Sequence, residues 1–383
     1  PPLQERAHRP VRDKMAPYRI AVIPGDGIGT EVTSATLAVL DAAQRRIGGF
    51  TLSYDTIHAG ASYYSESGRD IEVDGEERAG QADAMFLGAI GLPTVRAKDG
   101  TEICPHLRLR EKYELYAGVR PVKAYPNAPQ LLAAPEATNL DIVIIRECTE
   151  GLFYTAAVHN RSPETDASEA REILRITRSV TERISDFAFK LTRRRKKNGG
   201  KGELTCVDKA NVFKAFAFFR TIFEERAIKF PDISTRYSYV DAMALELVRK
   251  PWDFDVMVME NMFGDILSDL AGGLIGGMGI AASAEIGDHH CLFQPAHGSA
   301  PDIMGRDKAN PLAAVLSGAL MLDWLSELSG TESMADTSKL IEQAVAIGFK
   351  DQRLRPMEFG GDMGLTKMTG ELLSLIETVS TDR

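Results

Sequence analysis

Apolar residues along this chain come in two rhythms. Short unbroken runs, "YRIAVIPG", "DAMFLGAIG", "DIVIIREC", "ELTCVD" and "FDVMVME", are bounded by glycine or charged residues. Runs of that kind suit strands buried on both faces. Between them the apolar spacing lengthens to three and four. "TEVTSATLAVLDAAQRRI" reads as an amphipathic helix beginning near Thr30, with its apolar positions on one face. In "SEAREILRITRSVTERISDFAFKLTRRRKK", Ile173, Ile176, Val180, Ile184, Phe187 and Leu191 form one stripe, which predicts a single long helix. Its basic run 193–197 precedes Gly199 and Gly200. Cations followed by glycine are what a helix C-terminus favours, so the run reads as a solvated helix end rather than a binding patch. Strands and helices in alternation predict a layered α/β fold.

Composition narrows the class. With 383 residues and 44% of them hydrophobic, the chain can bury a sizeable core in roughly two to three domain-sized units. A formal net charge of -9 argues against a nucleic-acid surface and leaves small anions to local arginines. Cys104, Cys148, Cys206 and Cys291 lie far apart, with neither a C-x-x-C pair nor zinc-ligand spacing. That pattern fits a reduced, cytoplasmic setting. No run of consecutive apolar residues has the length of a membrane span, and "PPLQERAHRPVRDKMAPYRI" lacks the apolar centre of a signal peptide. Residues 1–16 read as a loose arm, with Met15 a candidate start. No internal repeat or low-complexity segment is present.

Three groups of residues bear on chemistry. Gly25-Asp26-Gly27-Ile28-Gly29 follows a strand and opens a helix, as a dinucleotide-binding loop does, but its glycines are spaced G-x-G-x-G. That falls short of the Rossmann fingerprint and leaves a tight turn beside some ligand. Arg108, Arg110 and Arg120 fall in "LRLREKYELYAGVRP", and Arg146 ends the run "DIVIIR". Strand ends are where open α/β sheets place ligands, and guanidinium groups clamp carboxylates bidentately. Each arginine alone could be a surface charge; together they suit a substrate with two carboxylates.

The third group is acidic. In "ENMFGDILSDLAGGL", Asp265 and Asp269 stand four residues apart, on one helical face, where like charges repel unless a cation lies between them. The alternative places Asp265 at the positive end of a helix dipole and Asp269 in water. Lys209 follows a strand between Asp208 and Asn211 in "CVDKANVFK". It is a base if a neighbouring metal lowers its pKa, or else a solvent-facing turn lysine. Asp241 in "YVDAMA" completes three hard oxygen ligands of the kind Mg²⁺ or Mn²⁺ takes.

"IPGDGIG", Arg110 with Arg120, "RECTEG", "DKANV", "YVDAMA", "NMFGDILSDLAGG" and "HGSAPDIMGRDKANP" occur in the order and spacing of the β-decarboxylating dehydrogenases. From about Tyr18 to its C-terminus the chain resembles that family, which includes isopropylmalate, isocitrate, homoisocitrate, tartrate and D-malate dehydrogenases, and isopropylmalate dehydrogenase most in type. The resemblance implies a two-domain α/β/α fold that is not a Rossmann domain. A large cofactor-binding domain would comprise 17–115 and 276–383, and a small domain 116–275 would carry substrate and metal residues and the dimer interface. It implies NAD- and metal-dependent oxidative decarboxylation of a 3-substituted (R)-malate by a homodimer with shared sites. Arg110, Arg120 and Arg146 would hold carboxylates, and His106 and Leu107 would read the third substituent. Asp265 and Asp269 would bind metal with Asp241 of the partner subunit, and Lys209, also from the partner, would take the hydroxyl proton. His297, Gly298, Ser299, Ala300, Asp302 and Ile303 would form the adenosine loop, with Asn310 near the adenine and Asn211 also on the cofactor. A carboxylate at Asp302 accepts hydrogen bonds from both ribose hydroxyls and repels a 2′-phosphate, which favours NAD over NADP.

Several positions depart from the family pattern. Phe153 stands where most members have a tyrosine that protonates the enol, and Tyr154 follows it. If the segment is extended, neighbouring side chains oppose each other and Tyr154 cannot substitute. His106 replaces part of a leucine pair, which makes a purely apolar substituent less certain because a buried imidazole needs a polar partner. Cys104 stands where isocitrate enzymes use serine. Gln294 and Ala296 replace the usual glutamate and valine, which puts the nicotinamide-side contacts in question. Two other classes remain: a regulatory paralogue, which would have lost base or metal ligands, and an apolar-ligand binder, which would show no metal dependence.

Overall fold

The computed structural model of the chain describes residues 16–98, 100–157 and 168–380; residues 1–15 of the expected arm, with Met15, lie outside them. Strands β1 (Tyr18–Gly25), β2 (Leu52–Thr56), β3 (Ala84–Ala89), β4 (Ala117–Lys123), β5 (Asp141–Glu147), β6 (Glu203–Asp208), β7 (Ser234–Tyr239), β8 (Val256–Met259), β9 (Ala282–Ile286) and β10 (Cys291–Pro295) form one sheet. Its ten strands run in the order β2-β1-β3-β10-β9-β4-β5-β8-β6-β7. The helices are α1 (Gly29–Ile47), α2 (Ala61–Ser67), α3 (Gly75–Gln81), α4 (Pro105–Lys112), α5 (Phe153–Ala157), α6 (Arg178–Lys197), α7 (Lys214–Ala227), α8 (Val240–Arg249), α9 (Asn261–Leu274), α10 (Leu312–Ser329), α11 (Glu332–Lys350) and α12 (Leu365–Thr378).

Each of the five unbroken apolar runs is a strand: β1, β3, β5, β6 and β8. Their side chains are buried because helices cover the sheet, as parallel strands require. The outer parts of the sheet are parallel, while β10–β9, β9–β4 and β4–β5 are antiparallel. This antiparallel centre sets the site. Gly118 of β4 stands opposite Arg146 of β5 on one side and Glu285 of β9 on the other. A Cβ on Gly118 would meet the Cys148 sulfur at 2.7 Å, so glycine lets these groups crowd one point of the sheet.

One apolar cluster runs from Ile20 and Val22 through Ile142, Ile144 and Ile145 to Met257, Val258 and the face of α10. By length and composition alone, α10 could cross a membrane, yet it packs on β9, β10, α1 and α11 as a core helix. The long helix expected from "SEAREIL" onward begins only at Arg178. Glu150 accepts hydrogen bonds from the backbone N–H of Thr177 at 2.8 Å and from its hydroxyl at 2.7 Å, and Arg175 bridges Gly151. Those bonds hold 175–177 extended, and Ile173 is left exposed.

Candidate active site

The three clamp arginines converge although they come from different elements. Arg110 lies in the last turn of α4, Arg120 in β4 and Arg146 near the end of β5. Arg120 and Arg146 are buried. The Nε of Arg120 has no hydrogen-bond partner among the described residues. Burial pushes its pKa down, with the like charges of Arg146 and Arg110 adding to the effect and Glu285 opposing it. A buried cation with an open donor is costly unless an anion arrives.

Arg146 donates through Nε to Asn261 at 2.8 Å and through a terminal nitrogen to Asp265. The contact depends on Gly264, where a Cβ would lie 2.6 Å from the Cβ of Arg146. Because α9 starts at Asn261, Asp265 sits beyond the first turn, where a helix dipole has faded. That removes the dipole explanation for its position. Asp269 is exposed one turn further on. Partial burial and the adjacent Asp265 charge hold its carboxyl above the ordinary range. Two hard carboxylates one turn apart on one helical face, with Asp265 also bound by Arg146, are suited to a divalent cation such as Mg²⁺ or Mn²⁺.

Lys209 and Asp241 are brought together elsewhere. The in-register pairing of Asp208 with Tyr239 places the residues that follow side by side, and Lys209 donates to Asp241. That hydrogen bond is the largest influence holding the Asp241 carboxyl below its usual value. Asp208 itself is buried, clamped by Arg220 at 2.7 and 2.8 Å, which makes it a support for the turn. Asn211 is exposed. Among the described residues no group of three or more His, Cys, Asp and Glu side chains could hold a metal, so Asp241 does not join Asp265 and Asp269 within one chain.

The glycine loop and the 297–303 segment meet directly. The amide of Ile28 donates to the Ser299 carbonyl at 2.8 Å. A Cβ on Gly27, whose φ is +55°, would sit 2.0 Å from that same oxygen. Asp26 is buried and accepts the amides of Ala61, Ser62 and Gly91, while the Ser299 hydroxyl donates to the Gly91 carbonyl. The glycine loop therefore positions the second loop. In that second loop Gly298 and Asp302 are exposed, and Ala300 and Ile303 are half-buried. The His297 Nε2 is buried without a partner among the described residues. An orphan ring nitrogen and an exposed carboxylate on the same loop fit a nucleoside bearing hydroxyls. Asn310 donates to Glu358 at 2.9 Å, and Glu358 also accepts the Gly279 amide.

His106 stands one turn before Arg110, with its Nδ1 buried and unpartnered among the described residues. Burial, then the Arg110 charge, pushes its pKa down to about 4, so the ring is neutral. Leu107 lines a cavity of about 970 Å³ with Tyr64, Asp70, Cys104 and Arg108. Phe153 begins the short helix α5 rather than an extended stretch, so the expected alternation does not apply. The outcome for Tyr154 is still separation: Arg146 lies 5.0 Å from the Phe153 ring centre, whereas Tyr154 is covered by Arg175 at 3.7 Å.

The residue that sequence reading missed is Glu285. It is fully buried, accepts two hydrogen bonds from Arg110, one of them 2.6 Å long, and takes the Gln294 amide at 2.9 Å. A carboxylate within the otherwise small and apolar "AASAEIG" was the available signal.

Comparison with known proteins follows the same outline. Residues 19–374 match the isocitrate/isopropylmalate dehydrogenase family. A 3-isopropylmalate/3-methylmalate dehydrogenase of Methanocaldococcus jannaschii is 39% identical, across 93% of this chain and 98% of that one. A 3-isopropylmalate dehydrogenase of Geobacillus kaustophilus is also 39% identical, across 96% and 97%. Among solved structures, isocitrate dehydrogenase from Methylococcus capsulatus superposes with a TM-score of 0.81 at 32% identity, covering 94% of this chain and all of the other. A β-decarboxylating dehydrogenase from Thermococcus kodakarensis gives 0.74 at 33% identity, across 94% and 96%.

Proposed function

The chain belongs to the isocitrate/isopropylmalate dehydrogenase family, and from that premise we propose that it oxidises and decarboxylates a 3-substituted (R)-malate, using NAD and Mg²⁺ or Mn²⁺. The observation that carries the reading is the convergence of Arg110, Arg120 and Arg146 beside the carboxylates of α9. A 3-isopropylmalate-like substrate is the first to test, supported by relatives named for 3-isopropylmalate and 3-methylmalate. D-malate, tartrate, isocitrate and homoisocitrate complete the panel.

In this reading the open Nε of Arg120 and the fork of Arg146 bind the malate carboxylates, which neutralises a buried cation and fixes the C2–H bond in place. Asp265 and Asp269, with Asp241 of the partner subunit, would hold the metal, and the 297–303 turn with Asn310 and Asn211 would hold NAD. When bound, the metal supplies a Lewis acid at the C2 oxygen and NAD accepts the C2 hydride. Lys209 of the partner subunit takes the hydroxyl proton as that hydride leaves. The resulting β-keto acid loses CO₂, and the enol requires a proton at C3. Phe153 has none to give, so water serves, or dehydrogenation outpaces the later steps.

The Lys209–Asp241 pair lies on a face where Val212, Phe213, Leu245, Val248 and Ile266 are exposed. Contiguous apolar exposure of this kind marks an interface, and we assign it to a second copy of the chain that completes each site. We also retain the division into 17–115 with 276–383 and 116–275, joined where β9 pairs with β4.

The test follows NADH formation and CO₂ release in parallel, with Mn²⁺ and the whole panel. Turnover of one substrate with matching CO₂ supports the reading. Absence of turnover in protein that is thermally stabilised by NAD and Mn²⁺ defeats it. NADH in excess of CO₂ would point to Phe153, and Phe153→Tyr should then restore the ratio severalfold.

A further inference from the structure

On α6, Arg183, Phe187, Lys190 and Arg194 recur at steps of four, three and four, so they share one face of the helix. That face meets α10: Arg194 pairs with Asp323 and Glu327, and the rings of Phe187 and Trp324 lie 5.9 Å apart. Toward the start of α6, Arg183 reaches Asp288 of the β9–β10 turn at 3.0 Å, and the Tyr116 hydroxyl donates to the same carboxylate at 3.0 Å. Between these two ties lies a cavity of about 660 Å³, a size usual for small-molecule sites. Phe187, Trp324, Leu328 and Ile286 supply its apolar lining. Side chains alternate along a strand, so Ile286 points to the sheet face opposite Glu285 and the arginine cluster. The lining comes from both proposed units, α6 from 116–275 and the β9–β10 turn with α10 from 276–383.

The charges around this cavity cancel except at one point. Asp186 is held by Arg226 at 2.5 and 2.7 Å, Asp288 by Arg183, and Glu182 by Arg178 at 3.3 Å. Lys190, in contrast, makes no ion pair or hydrogen bond with a described residue, and the indole N–H of the half-buried Trp324 has no described acceptor. Such a group ordinarily finds a partner. We propose that the cavity is a second small-molecule site, which takes a planar aromatic monoanion. Its ring lies against Phe187, Leu328 and Ile286, and its anionic oxygens accept from Lys190 and the Trp324 N–H. One unpaired cation selects one negative charge, because a second would fall beside Asp186 and Asp288. The site is independent of the malate reading, and its occupant would touch both units behind the β4–β9 joint.

Isothermal titration calorimetry of the whole chain with 1-naphthoate, and with the neutral 1-naphthylmethanol of similar shape, tests this. One 1-naphthoate should bind per chain, about tenfold more tightly than the alcohol, the size of one charge-assisted hydrogen bond. Lys190→Met keeps an unbranched apolar stem and removes the charge at a position that is not fully buried. It should erase the preference for the acid and leave the affinity for the alcohol unchanged. Trp324→Leu should weaken both probes; if it folds poorly, Lys190→Met alone decides. A preference for the acid that survives Lys190→Met, or affinity that survives Trp324→Leu, would put the probe elsewhere, the arginine cluster included, and overturn the proposal. Absence of 1-naphthoate binding overturns it too, as does an alcohol bound as tightly as the acid.

Discussion

The arginine cluster and the Lys209–Asp241 pair are both rich in charge, yet they are built in opposite ways. Arg120, Arg146 and Glu285 are buried, each fixed by a strand of the antiparallel centre. Lys209 and Asp241 lie at the far edge of the sheet, beyond β6 and β7, with Asp241 exposed and apolar side chains open to water around them. The buried half draws Arg120, Arg146 and Glu285 from adjacent strands that fix them side by side, which is what recognition of a carboxylate requires. The edge half carries the residues proposed as base and metal ligand, and there Asp241 stands open to solvent. In the proposed reading, the difference means that one chain supplies binding and that chemistry waits on a second surface.

Removing a proposed metal ligand beside the arginine cluster should have the largest effect. Asp265→Asn deletes a charged ligand and also leaves Arg146 without its partner. Turnover with Mn²⁺ should fall by about three orders of magnitude, since metal stabilisation of a developing oxyanion is worth several kcal/mol. A variant with near-normal kcat would remove α9 from the chemistry.

Lys209→Met comes next, with a loss of about a hundredfold or more, the size expected for a proton-transfer residue. Its value lies in mixing. If the halves come from different protomers, Lys209→Met and Asp265→Asn proteins denatured and refolded together should regain roughly a quarter of wild-type activity, through two-fold dimers that carry one intact site. No recovery, with heterodimers demonstrated by mass, would mean that each chain works alone.

The proposed interface can be tested at Ile266, which is 59% exposed within one chain. Ile266→Glu buries a carboxylate if that face is covered, and should weaken association at least tenfold. Sedimentation across a concentration series reads this directly. An unchanged association constant would place the partner elsewhere.

Much of the buried half was legible in the sequence. The apolar runs became β1, β3, β5, β6 and β8, and Arg146 stands at a strand end as its position suggested. What stayed hidden was decided by neighbours distant along the chain. β4 carries an arginine and a proline within "AGVRPVK", and β7 is the half-exposed "STRYSY" of an edge strand, so neither shows the rhythm of a buried strand. The start of α6 was misplaced because Glu150, far upstream, holds Thr177 extended. Glu285 had no local signal beyond its oddity, since its meaning depends on β4 lying beside β9. Leu107 and Tyr154 were limited by helix geometry: residues adjacent in a helix point to different surroundings, as Leu107 and His106 do on α4.

The smallest expected effect concerns pH and separates the two regions without any ligand. Burial pushes the Glu147 carboxyl, next to Arg146, up to about 7, against hydrogen bonds from Thr149 and from the amide of Glu150. An acid whose folded pKa is raised stabilises the fold fully below its unfolded value near 4.5 and loses that contribution as pH climbs through 7. Asp241 has the reverse sign: its pKa is held low by Lys209, so any contribution is present above the ordinary carboxylate range and lost only in acid. Between pH 5 and 8 the buried half alone should therefore weaken, by at most about 3 kcal/mol, or a few degrees in Tm for a chain of this size. Glu147→Gln should flatten that slope, whereas Asp241→Asn should leave it unchanged. A slope that survives Glu147→Gln but disappears in Asp241→Asn would reverse which region titrates, and with it the distinction between a buried, preset half and an exposed, waiting one.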